Sequence, residues 1–151
     1  MDKIRELLEK NSMWYDYFEH EPVRTSEEAA KVRPNYSLQQ GAKALVLKTK
    51  HGLAMIVVPG DKKFDKKKAM KILGSKKISL ATPEEVEEVT DGVKIGGVPP
   101  FGNLFGLKVY MDKSILDLGK IIFNAGDRRI SIGMKPQDYK TLVNPKVVDL
   151  T

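Results

Sequence analysis

Two β-favouring runs, Ala42 to Lys50 and Leu53 to Val58, are separated only by His51 and Gly52. Two residues cannot carry a crossover, so the runs return on each other as a hairpin, and Gly52 supplies the backbone freedom at positive φ that such a turn needs. Shorter runs add to them. Trp14 to Glu19 is aromatic-rich and ends at Glu21-Pro22; Ile78 to Leu80, Leu107 to Met111, Lys120 to Asn124, Arg129 to Met134 and Val147 to Leu150 follow, with Asn124-Ala125-Gly126-Asp127 as a second tight connection.

Helical signals lie between them. Ile4, Leu7 and Leu8 share one face of an N-terminal helix. Thr25 with Glu28 reads as a capping box in which each side chain bonds the other's backbone N–H, and Pro34 stops the helix that follows. A helix from about Asp65 turns Ala69, Met70, Ile72 and Leu73 inward and ends at Gly74. Thr82-Pro83-Glu84-Glu85 combines an N-cap, proline at the first helical position and glutamate at the third, and Pro136 opens a last helix toward Val143. Helices mixed with tightly connected strands predict an α+β domain on a mixed, mainly antiparallel sheet; a doubly wound parallel fold fits poorly. With 151 residues, the chain suits one core that buries roughly 68–70% of its unfolded surface.

Composition removes several functions. A chain that is 41% hydrophobic and 30% charged folds rather than stays disordered. The absence of cysteine excludes disulfide scaffolds, thiol catalysis and thiolate zinc sites, and fits a reducing cytoplasm. The charged N-terminus MDKIRELLEKN lacks the apolar core of a signal peptide, and the longest apolar run, Leu53 to Pro59, is too short for a bilayer, so a soluble, cytoplasmic protein without membrane contacts is expected. Two separated histidines, His20 and His51, give no metal site, and neither a phosphate-binding P-loop nor a nucleophile elbow occurs.

The net charge of +6 is confined to one place. Asp61 to Lys77 holds eight lysines and two aspartates, and basic and acidic side chains balance elsewhere. A local basic surface suits a polyanion. A solvated face that only keeps the protein soluble explains the charge equally well.

Chemistry that needs no thiol, metal or organic cofactor can use backbone amides of a constrained loop and one cation to orient and polarise an ester. Two segments qualify. Lys43 interrupts the apolar stretch Gly41-Ala42-Lys43-Ala44-Leu45, so its ammonium either snorkels at an edge or enters a pocket. Asp91 to Gly106 follows no period and holds five glycines and two adjacent prolines; Val98, Phe101, Leu104 and Phe105 can anchor it as an ordered loop.

These blocks carry a resemblance. F-E-H-E-P-V-R-T-S-E-E-A-A at Phe18 to Ala30, G-A-K-A-L at 41 to 45, G-G-V-P-P-F-G at 96 to 102 and N-A-G-D-R-R-I-S-I at 124 to 132 resemble, in order, spacing and total length, the YbaK/prolyl-tRNA synthetase-associated editing-domain family. The resemblance implies one YbaK-like domain over 1–151, with a mixed, mainly antiparallel sheet or partly closed barrel flanked by helices. It implies an enzyme that hydrolyses the ester of a mischarged aminoacyl-tRNA in trans, with no metal and no cofactor. The family lysine maps onto Lys43, associated with holding the tRNA 3′ end, and the G-x-x-x-P loop maps onto Gly96, Gly97, Val98, Pro99 and Pro100, whose backbone positions the aminoacyl group. Phe18, His20, Ala44, Gly126 and Ser131 are the remaining expected pocket positions. Phe18 stands where some relatives have tyrosine, Ala44 where many have threonine, and Ser131 where some are acidic, which bears on the amino acid removed and not on the reaction.

His20, an imidazole, reads either as a base or as a structural hydrogen-bonding group; no other base stands out, which leaves the substrate's own 2′-hydroxyl as the candidate. Asp127 and Arg128 read as turn decoration. Lys62, Lys63, Lys66 and Lys67 are expected to hold the tRNA body. A synthetase is a possible further partner. The alternatives are a non-catalytic tRNA- or synthetase-binding module of the same fold and a plain basic RNA-binding domain, the latter lacking an aromatic platform or GXXG clamp.

Overall fold

The computed structural model describes residues 3–151; Met1 and Asp2, which the N-terminal reading and the 1–151 domain range include, lie outside the described residues. The elements in chain order are α1 (Lys3–Lys10), β1 (Tyr15–Glu19), α2 (Ser26–Lys31), β2 (Ala42–Thr49), β3 (Gly52–Pro59), α3 (Lys66–Leu73), β4 (Ser79–Leu80), α4 (Pro83–Val89), β5 (Val109–Asp112), β6 (Ile121–Asn124), β7 (Ile130–Met134), α5 (Pro136–Val143) and β8 (Lys146–Val148). Each expected strand and helix is present within about two residues of its expected bounds.

The sheet is divided. β1, β7 and β6 form a three-stranded antiparallel sheet, and β4-β2-β3-β5-β8 a five-stranded mixed one whose parallel part is β3-β5-β8. A bridge between Gly41 and Ile122 links the two sheets where the chain enters β2. The β2–β3 hairpin is central, paired from Ala42↔Pro59 to Thr49↔Gly52, with Gly52 at φ 108° in the turn.

Because β2 and β3 are covered on both faces, each face has its own core. Ala42, Val46, Met55 and Val57 pack with Phe101, Phe123 and Tyr139 on one side, while Leu47, Ile56 and Val58 pack under Ala69 and Leu73 of α3 on the other. Both faces being buried explains why these runs are nearly continuous in apolar residues rather than alternating.

The caps act as their chemistry requires, with one difference. Thr82 and Glu85 form a reciprocal capping box on α4, and Asp65 caps α3 at its start while Gly74 ends it at φ 62°. On α2, Thr25 accepts the N–H of Glu28 at 3.1 Å, but the Glu28 carboxylate takes the N–H of Arg24 at 3.4 Å instead of that of Thr25. The expected box is therefore half formed, because the chain entering α2 turns Arg24 toward the glutamate.

Candidate active site

β4 pairs with only Leu47 and Lys48 of β2, the Ala81 N–H after it donates to the Val46 carbonyl at 2.9 Å, and the next link on that side is the Gly41 bridge to β6. Between these two points the outer side of β2 carries no strand. A cavity of about 550 Å³ opens there, bounded by α2, the first half of β2, the chain after β4, the Gly-rich loop and β6. Its charged lining is Arg24, Arg33, Lys43 and Arg128 against Glu27 alone. Leu80 and Ile95, two of the three most exposed large apolar residues, form part of its rim. An apolar wall with an excess of cations suits a ligand carrying phosphate at one end and a small organic group at the other.

Lys43 lies in β2, half-buried, and lines the cavity, where its Nζ donates to the Lys62 carbonyl at 3.2 Å. The residue thus lines the pocket rather than standing at a free edge, and its ammonium reaches the start of the lysine cluster. Lys62, Lys63, Lys66 and Lys67 are exposed and do not line the cavity.

The Gly-rich loop is fixed from one side. The Ile95 carbonyl accepts from Arg128 Nε at 2.8 Å, that of Gly96 from Asn124 Nδ2 at 2.6 Å and that of Gly97 from the Gly126 N–H at 2.8 Å. Three successive carbonyls therefore face the β6–β7 turn. In trans peptides the following N–H groups point the other way. The Gly97 N–H returns to the Lys94 carbonyl at 2.9 Å, whereas those of Gly96 and Val98 have no hydrogen-bond partner among the described residues, and both residues line the cavity. Gly96 holds φ 87°, a conformation that side chains disfavour. Arg128 is no mere turn decoration, contrary to expectation: it ties the loop. Asp127 serves the turn, receiving the guanidinium of Arg129, which holds its carboxyl down at about 2.

Behind the cavity runs a polar network. Ser131 is fully buried, with His20 Nε2 2.7 Å from its Oγ and Arg33 Nε donating to it at 3.0 Å. Arg33 Nη2 donates to Asn124 Oδ1 at 3.1 Å, and Asn124 in turn holds Gly96. His20 Nδ1 sits 2.8 Å from the Glu21 carbonyl, which can only accept, so the neutral ring carries its proton there and Nε2 accepts from Ser131. Serine, histidine and an orienting carbonyl have the outline of an activated nucleophile. Neither Ser131 nor His20 lines the cavity, however, and the pair holds Arg33, which does.

Of the expected site residues, Lys43, Ala44, Gly96 and Val98 converge on the cavity. Gly97 and Gly126 hold each other one layer behind. Pro99 and Pro100 are buried and brace the loop, the Pro100 carbonyl accepting from the Tyr139 hydroxyl. Phe18 is opposite Ser131 in the sheet and packs edge-on against Tyr36, their centroids 6.0 Å apart. Arg33 and Asn124 were missed. A lone arginine after a helix and an asparagine at a turn look local, and only pairing across the sheet brings them to this site. Burial lowers the Arg33 pKa to about 10, which leaves it charged at neutral pH. Among the described residues, no three histidine, aspartate or glutamate side chains gather as metal ligands would.

The family model described as the aminoacyl-tRNA editing domain matches residues 20–142. The multifunctional Ser/Thr-tRNA deacylase ProXp-y of Escherichia coli is 33% identical over 150 residues, covering 95% of this chain and 87% of that protein. The proline–tRNA ligase of Thermosipho melanesiensis is 34% identical over 97 residues, which span 64% of this chain and 17% of the ligase. A crystal structure described as a candidate trans-editing enzyme for prolyl tRNA synthetase superposes with a TM-score of 0.85 at 30% identity, covering 98% of this chain and 94% of that one. The chain belongs to the aminoacyl-tRNA editing domain family.

Proposed function

We propose that the chain, 1–151, is one editing domain that hydrolyses the ester of a mischarged aminoacyl-tRNA in trans, in the cytoplasm. The observation that carries the reading is that Lys43 lines one cavity with Gly96 and Val98, whose N–H groups have no hydrogen-bond partner among the described residues. Lys43 holds the phosphate-bearing 3′ end. The two N–H groups receive the ester oxygen as negative charge develops on it.

Water attacks the carbonyl carbon and passes a proton to the vicinal hydroxyl of the terminal ribose, which in the same relay hands its own proton on toward the ribose oxygen of the ester. Collapse of the tetrahedral species breaks the acyl C–O bond, and the leaving ribose oxygen takes a proton, releasing amino acid and deacylated tRNA. His20 does not line the cavity, which supports giving the part of the base to the substrate's own hydroxyl. Lys62, Lys63, Lys66 and Lys67 bind the tRNA body. The similarity to a segment of proline–tRNA ligase makes a synthetase a reasonable partner.

Hydrolysis measured on alanyl-, seryl-, threonyl- and cysteinyl-tRNA tests the reading. Release of at least one amino acid well above the uncatalysed rate is expected. Binding of tRNA without turnover of any ester would instead favour a non-catalytic module. Among the described residues no helix is long and apolar enough to cross a membrane.

A further inference from the structure

Arg33 is the only cation among the buried residues described, 7% exposed, and no carboxylate pairs with it among them. An isolated charge held away from water is costly, so its retention needs an explanation. Two of its three nitrogens are committed to neutral oxygens, Nε to Ser131 and Nη2 to Asn124, and Ser131 is itself fixed by His20. Neither bond uses Nη1, and the residue lines the cavity beside Gly41, where a Cβ would come within 3.8 Å of Nη1.

The position along the cavity identifies what Nη1 can meet. Leu80, Ile95, Arg24 and Glu27 are exposed and mark the mouth, while Arg33, Ala42, Ile122 and Phe123 are buried and mark the inner end. A tRNA is continuous outside the protein, so only its extreme tip, the amino-acid side chain, reaches the inner end. The α-ammonium would be repelled by the guanidinium. An aliphatic side chain would leave Nη1 without a partner, and a carboxylate could meet Nη1 but not take the two-nitrogen fork, since Nε and Nη2 are already given to Ser131 and Asn124. A single hydroxyl oxygen fits.

We infer that Arg33 is the specificity-determining residue of the cavity, donating from Nη1 to a side-chain oxygen of the aminoacyl group and so selecting hydroxyl-bearing amino acids over aliphatic ones of equal size. This rests on the deacylation proposed above. A site that hydrogen-bonds a substrate hydroxyl rejects the analogue lacking it, because a buried donor is then stranded.

Threonine and valine differ by one hydroxyl for one methyl, so kcat/KM for threonyl and valyl esters on the same tRNA reads the contact directly, with an aspartyl ester as a third arm. Wild type is expected to favour threonyl over valyl by at least about 10²-fold. In Arg33→Met the ratio should fall to within about tenfold, while Arg33→Lys, which keeps the charge but not the fork, should give an intermediate ratio. Equal wild-type rates on threonyl and valyl esters, preference for the aspartyl ester, or an unchanged ratio in a folded Arg33→Met protein would each overturn the inference. If Arg33→Met does not fold, the wild-type ratio and Arg33→Lys decide it. Failure of wild type on every ester would instead refute deacylation itself.

Discussion

Gly96 and Gly133 are both required, for different reasons. At Gly96 a Cβ would only touch Arg128 Nε at 3.4 Å, so the cost of a side chain lies in the backbone, held at φ 87°. Gly96→Ala should strain the loop by about 1–2 kcal/mol and shift the amides around it, losing deacylation by about 10²-fold or more while the protein stays folded. Single-turnover rates together with a melting curve check this. At Gly133 a Cβ would lie 2.0 Å from the Tyr36 hydroxyl, which donates to Asp16 at 2.8 Å. Gly133→Ala should therefore lower the melting temperature markedly, by about 1–3 kcal/mol of stability, through overpacking at a distance from the cavity. At this scale the sequence was informative where a residue's role is local. Lys43 stands out as a charge in an apolar run. Arg33 does not, since its partners Ser131 and Asn124 are 98 and 91 positions away and its cost appears only once it is buried.

Among the elements, α3 with its flanking turns, Asp61 to Lys77, carries the net charge that the rest of the chain lacks. Its lysines face water while Ala69 and Leu73 pack beneath, and Lys68 alone is spent on an ion pair, with Asp149 at 3.2 Å. Reversing Lys62, Lys63, Lys66 and Lys67 should raise KM for whole tRNA and flatten its salt dependence, because each phosphate contact contributes a log–log slope of about −0.7 to −0.9. Hydrolysis of a short aminoacylated 3′ fragment should change little; equal loss on both substrates would place these lysines in the chemistry instead. The C-terminal strand β8 is held differently. Burial pushes the Asp112 carboxyl up, but the Ser114 hydroxyl and the N–H groups of Leu150, Ser114 and Thr151 outweigh it, so it ionises below the usual range. A depressed carboxylate contributes stability that is complete above its unfolded value, about 3.9, and is lost as pH falls through the lower folded value. Asp112→Asn should lower the melting temperature at neutral pH and make its decline between about pH 5 and 2 shallower than that of wild type. Cap residues announce such elements because their partners lie three positions away. The carboxylate of Asp112 does so only in part, since its Ser114 partner is two residues on while the Leu150 and Thr151 amides are 38 and 39 residues distant.

At the scale of the whole molecule, the cavity exists because β4 is two residues long and because β1 and β6 pair with β7 rather than with the central sheet. Hairpin turns made the β2–β3 and β6–β7 pairs readable in advance. Division into two sheets follows from the β1–β7 pairing, between segments over a hundred residues apart, and no local pattern specifies it. The site is the seam between the sheets, with Lys43 contributed by one and Asn124, which anchors the loop, by the other. The central claim is that this seam cleaves an aminoacyl ester. Its most direct test is the single-turnover hydrolysis of one mischarged tRNA by wild type and by Lys43→Ala side by side. Release well above the uncatalysed rate is expected for wild type and a loss of at least about 10²-fold for the variant, with melting temperatures alike, since one half-buried ammonium and no core volume is removed. A folded Lys43→Ala protein that hydrolyses the ester at the wild-type rate, or a wild type that gives no acceleration, would contradict it.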